Sequence, residues 1–198
     1  MTGVVLAGGK SSRFGSEKAL AALGGRSLLL RATEALCPFV SDIAISAARS
    51  SVVDAEARRL GFPVLPDRVG LARGPLAGIL AGLEWSEGRD AEWMISLPCD
   101  VVCLPSDTFS RLLAAAAKAG GAYAVTAQGP QSLCAVWPVG SRIALETALN
   151  AGAHPPVREF VSLIGGTQVH FEGSGIFLNI NTKDDLLAAE KAQSYEEE

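Results

Sequence analysis

Near the start of the chain, an apolar run changes abruptly into a glycine-rich loop, and this change limits the possible folds. Residues 4–6 are apolar, and residues 7–18 contain three glycines, three serines and, in their second half, the cations Arg13 and Lys18. Small residues leave backbone N–H groups accessible, and such donors beside fixed cations suit phosphate oxygens. The stretch predicts a strand followed by a loop that binds a phosphorylated ligand. A glycine-rich turn after an edge strand is the simpler alternative.

Two common phosphate-binding motifs do not fit this loop. A Walker A loop needs Gly-x4-Gly-Lys-Ser/Thr, a string that does not occur in the chain. The dinucleotide fingerprint Gly-x-Gly-x-x-Gly does not fit either, because Gly8 and Gly9 are adjacent and the next glycine is Gly15. The loop instead has the pattern Leu-Ala-Gly-Gly-x-Ser-x-Arg-apolar-Gly-x-acidic-Lys-Ala-Leu.

Strand-like and helix-like patterns alternate through the first two thirds of the chain. Apolar runs predict strands at residues 3–6, 42–46, 62–65, 92–97, 122–126, 133–137 and 167–171. Helical periodicity predicts helices at residues 27–36, 52–60, 75–85, 106–118, 141–150 and 157–164, with a last helix capped by Thr182. This alternation predicts an α/β fold, a three-layer α/β/α sandwich on a Rossmann-like, mostly parallel sheet.

Some details of this fold depend on shorter signals. A polar loop at residues 128–132 separates two predicted strands that could be hairpin neighbours, which would make one strand antiparallel. Ser106 is the predicted N-cap of the helix at residues 106–118. Since the 198 residues contain neither an internal repeat nor a linker, we expect a single domain over residues 1–198.

Charge and composition exclude several classes of partner. A net charge of −4 argues against nucleic acid, because nucleic-acid binding normally requires a basic surface. No apolar stretch reaches the ~20 residues of a membrane helix, and no leader-like pattern precedes the first strand. None of the four cysteines belongs to a Cys-x-x-Cys pair, so neither a zinc site nor a redox motif is indicated, and we expect buried, reduced thiols. We therefore expect a cytoplasmic protein that binds no membrane.

Polar residues follow the predicted strands at their carboxyl ends, where parallel sheets bind ligands. Asp100 is a lone acid after the strand at residues 92–97. Mg²⁺ prefers oxygen ligands and often takes one or two carboxylates, so Asp100 is a candidate metal ligand, with a helix cap as the alternative. Asp67 follows the third strand, although Pro-Asp pairs are also common in turns. Asn179 and Asn181 lie near the end of the fold.

Gly78 and Gly82 lie four residues apart in a predicted helix and therefore share one helix face. Each glycine costs the helix about 1 kcal/mol relative to alanine. A glycine face lets another group approach the backbone closely. That group is either a neighbouring strand or a flat ligand such as a nucleobase, and the sequence does not choose between them.

These motifs, in this order, resemble those of the molybdenum cofactor guanylyltransferases (MobA proteins), which are glycosyltransferase-A-like nucleotidyltransferases. The resemblance covers nearly the whole chain and rests on residues 6–20, 74–79, 97–100 and 179–182. It implies an α/β sandwich of the nucleotide-diphospho-sugar transferase type. It also implies transfer of GMP from Mg²⁺-GTP to the terminal phosphate of molybdopterin, or of its molybdenum-bearing form (molybdenum cofactor), with release of pyrophosphate.

The resemblance also implies roles for individual residues. Lys18 and Arg13 stabilise charge on the phosphates, and Asp100 holds Mg²⁺. The implied nucleotide contacts are Leu6, Ala7, Gly8, Gly9, Lys18 and Asp67. The pterin lies towards Asn179, Asn181 and Arg158.

The chain departs from the family pattern at three positions. Glu17 and Phe14 replace a frequent aspartate and a frequent methionine and keep their character. Ser46 stands where some relatives carry an asparagine that contacts the nucleotide.

Other functions remain compatible with the sequence. A cytidylyltransferase of the same fold could act on the same pterin or on a sugar or polyol phosphate. A non-catalytic cofactor carrier could retain the fold, although the presence of both Lys18 and Asp100 argues against it. A phosphate-binding regulatory module is a third alternative. For the guanylyltransferase, the family implies transient contacts with molybdoenzymes and other cofactor-biosynthesis proteins.

Overall fold

A computed structural model describes residues 1–8, 14, 17–66, 74–152 and 155–194. The helices in these ranges are α1 (Leu28–Leu36), α2 (Val52–Arg59), α3 (Pro75–Glu87), α4 (Thr108–Ala116), α5 (Arg142–Asn150), α6 (Val157–Leu163) and α7 (Lys183–Ser194). The strands are β1 (Thr2–Leu6), β2 (Ala22–Leu23), β3 (Arg26–Ser27), β4 (Asp42–Ser46), β5 (Val64–Leu65), β6 (Trp93–Pro98), β7 (Val101–Val102), β8 (Ala122–Thr126), β9 (Gly129–Pro138), β10 (Thr167–His170) and β11 (Leu178–Asn179). Within the described ranges, every helix is too short or too polar to span a lipid bilayer.

A seven-stranded sheet in the order β10-β8-β9-β6-β1-β4-β5 forms the centre of the protein. Its neighbouring strands run parallel except where β9 lies antiparallel between β6 and β8. The predicted mostly parallel sheet with one antiparallel strand is therefore confirmed. β9 can reverse direction because it follows β8 through a short turn, whereas the parallel neighbours require helical crossovers.

Helices cover both faces of the sheet and create two hydrophobic cores. Neighbouring side chains of β1 point to opposite faces of the sheet. Val5 therefore belongs to a core that includes residues of α1, α2 and α4, whereas Val4 belongs to a core that includes residues of α3, α5 and α6. Both valines are completely buried. Burial of such a side chain stabilises the fold by about 1.5–3 kcal/mol. The three-layer α/β/α prediction is thus confirmed.

The glycine face of α3 packs against the sheet. A Cβ atom at Gly82 would lie 2.8 Å from the Met94 sulfur and 2.9 Å from a methyl of Val4. A Cβ atom at Gly78 would lie 2.6 Å from the Ser46 hydroxyl oxygen. Of the two alternatives for this face, the close approach of neighbouring strands is the one that the structure supports.

Two sequence predictions about local structure are wrong. The helix expected from Ser106 begins at Thr108, with Asp107 at the N-cap position. The preceding turn is closed by the Thr108 hydroxyl, which donates a 2.7 Å hydrogen bond to the Pro105 carbonyl. The polar loop expected at residues 128–132 belongs largely to β9, because the sheet ladder with β8 continues to Gly129.

Candidate active site

The carboxyl ends of three neighbouring strands lie level with one another at one edge of the sheet. Leu6 of β1 pairs with Ser46 of β4 on one side and with Pro98 of β6 on the other. The Ala7 N–H donates a 2.9 Å hydrogen bond to the Ser46 carbonyl, and Gly8 follows as an exposed residue. The predicted nucleotide residues Leu6, Ala7 and Gly8 therefore share this edge with the end of β6.

Lys18 and Asp100 form an ion pair at the same edge. Lys18 Nζ lies 2.5 Å from Asp100 Oδ2, and the two side chains are 17% and 22% exposed. The Cys99 N–H donates a 3.1 Å hydrogen bond to the Leu6 carbonyl, which holds the segment before Asp100 beside β1. A cation and a carboxylate that are 82 residues apart in sequence are thus brought together near the carboxyl end of β1.

The two predicted asparagines approach this pair from the end of the chain. Asn179 lies in β11, which pairs antiparallel with β7 just after Asp100. The Ile180 N–H donates a 2.8 Å hydrogen bond to the Asp100 carbonyl. Asn181 Oδ1 accepts a hydrogen bond of 3.5 Å from Lys18 Nζ. The Lys18 ammonium therefore lies between the Asp100 carboxylate and the Asn181 amide oxygen. Asn179 lines the same cleft as Asp100.

A reciprocal cap at the start of α7 fixes the segment that carries Asn181. The Asp185 carboxylate accepts 2.8 Å hydrogen bonds from the backbone N–H groups of Asn181 and Thr182. Thr182 Oγ1 in turn accepts a 3.1 Å hydrogen bond from the Asp185 N–H, which confirms Thr182 as the helix cap. The two backbone hydrogen bonds hold the pKa of Asp185 below its ordinary value, although burial acts in the opposite direction.

A cleft of about 400 Å³ opens beside Asp100. Residues 131–134 of β9 form one wall, residues 156–158 form another, and Asn179 also lines the cleft. Arg158 at the start of α6 is exposed and makes no ion pair with any described residue. The cleft therefore offers room for a second substrate next to the Lys18–Asp100 pair.

Sequence reasoning did not identify Gln131 as a residue of this cleft. Gln131 Oε1 accepts a 3.4 Å hydrogen bond from Asn179 Nδ2. The sequence pattern at residues 128–132 predicts a polar loop, and glutamine is common in such loops. The pattern therefore does not distinguish Gln131 as a site residue. Three predicted residues, Gly9, Arg13 and Asp67, lie outside the described residues.

The donor set at this edge suits a divalent metal ion that is shared with substrate. The described residues contain no group of three or more His, Cys, Asp or Glu side chains that could enclose a metal ion. Mg²⁺ often takes only one or two carboxylates from a protein and completes its shell with waters and substrate phosphates. A single partly exposed carboxylate, Asp100, fits that mode of binding.

The buried thiols beside the site are suited to packing. Burial, and secondarily the Asp100 charge, raises the pKa of the Cys99 thiol to about 12. The same two causes raise the pKa of Cys134. Both thiols therefore stay protonated near neutral pH and are poor nucleophiles. All four cysteines are free of disulfides. The expectation that they are buried is met by Cys99 and Cys134 and is wrong for Cys37, which is exposed, and for Cys103, which is only partly buried.

A lysine and a carboxylate at the strand ends of a mostly parallel sheet, with a glycine-rich sequence after the first strand, are typical of nucleotide-binding α/β proteins. Residues 3–163 match the model of the MobA-like NTP transferase domain. The chain belongs to this family of nucleotidyltransferases.

Curated relatives extend the match along almost the entire chain. The molybdenum cofactor guanylyltransferase of Acidiphilium cryptum is 39% identical over 191 residues, which cover 94% of this chain and 92% of the relative. The protein of the same name from Rhodobacter capsulatus is 39% identical over 193 residues, which cover 96% and 95%. Both alignments continue beyond residue 163 into the region of Asn179 and Asn181.

The fold is also similar to that of solved structures. The crystal structure of molybdopterin-guanine dinucleotide biosynthesis protein A from Archaeoglobus fulgidus matches with a TM-score of 0.75. This match covers 98% of this chain and 100% of that chain, at 22% sequence identity. At that identity the similarity supports the fold alone.

Proposed function

We propose that the protein transfers GMP from GTP to the terminal phosphate of molybdopterin, or of its molybdenum-bearing form, and releases pyrophosphate. The observation that carries the proposal is 39% identity, over nearly the full length of both chains, to proteins named molybdenum cofactor guanylyltransferase. The cluster of Lys18, Asp100 and Asn181 supports it, because a nucleotidyl transfer needs charge neutralisation and positioning more than a protein nucleophile.

The proposed reaction is an in-line displacement at phosphorus. An oxygen of the acceptor phosphate forms a bond to the α-phosphorus of GTP, and the bond from that phosphorus to the pyrophosphate oxygen breaks. Lys18 stabilises negative charge on the reacting phosphates, with Arg13 as a second cation. The segment formed by Leu6, Ala7, Gly8 and Gly9 contacts the nucleotide, and Asp67 contacts the guanosine end.

Asp100 is the proposed ligand for Mg²⁺. A bound Mg²⁺ ion neutralises phosphate charge and helps to orient the triphosphate. The Asp100 carboxylate also holds the Lys18 ammonium at the strand ends. This ion pair supports the proposal that the two groups act on the same phosphates.

The acceptor occupies the cleft beside Asp100 in this proposal. Its phosphate has to reach the Lys18–Asp100 end of the cleft, because the bond forms there. Its pterin ring then extends towards Asn179, Asn181 and Arg158, of which Asn179 and Arg158 line the cleft. We expect the product to pass to molybdoenzymes through transient contacts in the cytoplasm, as the family resemblance implies.

Calorimetric titration with GTP, CTP and ATP in the presence of Mg²⁺ tests the nucleotide and the metal ligand together. We expect tighter binding of GTP than of CTP or ATP. We expect Asp100→Asn to weaken Mg²⁺-dependent GTP binding by about tenfold or more, because a carboxylate ligand is lost. Asp90→Asn is the matched control, since Asp90 lies just before the opposite, amino end of β6.

Each alternative predicts a different result in this titration. Tighter binding of CTP would identify a cytidylyltransferase with the same site. Equal GTP binding by wild type and Asp100→Asn would contradict the assignment of Asp100. A protein that binds none of the three nucleotides would fit a cofactor carrier instead.

A further inference from the structure

The cleft beside Asp100 contains a hydrogen-bonded pair of side-chain amides. Gln131 lies near the start of β9, and Asn179 lies in β11, 48 residues further along the chain. Asn179 Nδ2 donates to Gln131 Oε1 at 3.4 Å, and both residues line the cleft. Gln131 is partly buried, whereas Asn179 is exposed. The pair therefore lies at the cleft surface, with polar capacity left for a ligand.

The chemistry of an amide pair determines what it can bind. Each amide has one oxygen acceptor and one NH₂ donor group, and the contact between them uses a donor of one and the acceptor of the other. With Asn179 as donor, the Asn179 oxygen and the Gln131 NH₂ group remain. Asn179 Nδ2 also donates a 3.5 Å hydrogen bond to the Phe177 carbonyl, which fixes Asn179 as the donor of the pair. The pair therefore offers a ligand one acceptor, the Asn179 oxygen, and one donor group, the Gln131 NH₂.

A cyclic amide has the complementary pattern, an N–H donor next to a carbonyl acceptor. A pterin ring carries this group on its pyrimidine edge. The surrounding cleft suits a flat heterocycle, because Pro98, Val101 and Leu133 supply apolar lining. A ring with that edge could therefore satisfy both amides and bury its faces against apolar side chains.

The amide pair lies where an acceptor whose phosphate is at the Lys18–Asp100 pair can contact it. The transferred group is attached at the Lys18–Asp100 end of the site, so the acceptor phosphate belongs there. Gln131 of β9 lines the same cleft as Asp100, which follows β6, so one acceptor molecule can contact both residues. This step rests on the proposed function, because it takes the acceptor to be a pterin with a terminal phosphate.

We propose that Gln131 is an acceptor-binding residue, which together with Asn179 recognises the cyclic-amide edge of the pterin ring. Gln131 thereby contributes to selection of the acceptor and takes no part in binding GTP. Loss of its amide removes the contact with Asn179, which still donates to the Phe177 carbonyl, and removes one hydrogen bond to the ring.

The test compares Gln131→Met with the control Gln128→Met in two assays. Methionine has nearly the length of glutamine but no amide, and Gln128 is exposed in the same hairpin but does not line the cleft. Fluorescence titration with hydroxymethylpterin phosphate, without nucleotide, measures binding of the ring directly. Steady-state transfer of GMP to molybdopterin measures KM for the acceptor and kcat.

We expect Gln131→Met to weaken pterin binding and to raise the acceptor KM by about tenfold, which corresponds to one lost hydrogen bond to the ring. GTP binding and Gln128→Met should remain at wild-type values. Gln131→Glu keeps an oxygen for Asn179 but loses the donor, so it should also bind the pterin phosphate weakly. If Gln131 had a purely structural role, Gln131→Met would lower the melting temperature. It would not raise the acceptor KM while GTP affinity stays unchanged.

Equal pterin binding by wild type and Gln131→Met, or no pterin binding by either, overturns the inference. Failure of the proposed function has a different signature. In that case wild type binds the pterin phosphate and Gln131→Met binds it weakly, but neither protein transfers GMP from GTP.

Discussion

Lys18 shows how a single side chain can serve two purposes. Its ammonium neutralises Asp100 and also donates to Asn181, so it connects residues from distant parts of the chain. The side chain is still 17% exposed, and the cleft opens beside its partner Asp100. A cation with this placement can exchange some of its contacts for phosphate oxygens when substrates bind.

Replacement of Lys18 by methionine should lower kcat for GMP transfer by about 10²–10³-fold, because a charge that stabilises the transition state is removed. The free energy of unfolding should also fall, by about 1–3 kcal/mol, because the mostly buried Asp100 carboxylate loses its cation. Lys118→Met, at an exposed position after α4, is the matched control. Measurements of kcat and of chemical denaturation on the same variants separate the effect on catalysis from the effect on stability. Near-normal turnover by Lys18→Met would contradict the proposed role of Lys18.

The sequence predicts which residues belong to the candidate site better than it predicts their contacts. Leu6, Lys18 and Asp100 could be assigned to one edge, because each follows a predicted strand or its loop and parallel strands end together. The Asn179–Gln131 contact could not be predicted, since it depends on the register of β9 and the approach of β11. Neither is encoded in a local pattern.

The start of α7 is the element that positions Asn181. The Asp185 carboxylate holds the backbone N–H groups of Asn181 and Thr182, and Asn181 contacts Lys18. The helix cap and the site are therefore parts of one hydrogen-bonded structure. A substitution in the cap should mainly lower the free energy of unfolding, with a smaller effect on the position of Asn181.

Asp185→Ala should destabilise the protein by about 0.5–2 kcal/mol, the usual cost of losing a helix N-cap interaction. The matched control is Asp184→Ala, because Asp184 is an exposed neighbour in the same helical turn. Chemical denaturation measures the difference between the two variants. Equal free energies of unfolding for the two variants would contradict the stabilising role that we assign to the Asp185 hydrogen bonds.

Several elements were predictable from local signals, and others were not. The strands at residues 42–46 and 122–126 have the predicted bounds, because each is a buried run between clear breaks. β9 is longer than predicted, since its polar residues 129–132 are held by the ladder to β8 and not by apolar burial. The short pairs β2–β3 and β7–β11 escape prediction because two-residue strands have no periodicity.

At the scale of the whole molecule, the alternation of strands and helices determines where chemistry can occur. Parallel crossovers bring β4, β1 and β6 to the same edge, and the antiparallel β9 adds a wall beside them. The parallel strand ends carry Leu6 and the Lys18–Asp100 pair, which belong to the proposed donor site, while β9 lines the cleft that is proposed for the acceptor. The fold thus separates the proposed donor and acceptor sites and lets them meet at Asp100.

The most direct test of the proposed activity is to follow the phosphorus that is transferred. Purified protein is incubated with Mg²⁺, molybdopterin and GTP labelled at its α-phosphorus, with CTP labelled in the same way as the competitor. We expect the label from GTP to appear in a pterin–guanine dinucleotide, with one pyrophosphate released for each product formed. Label that stays in GTP, or that enters a pterin dinucleotide only from CTP, would contradict the assignment of this protein as a guanylyltransferase.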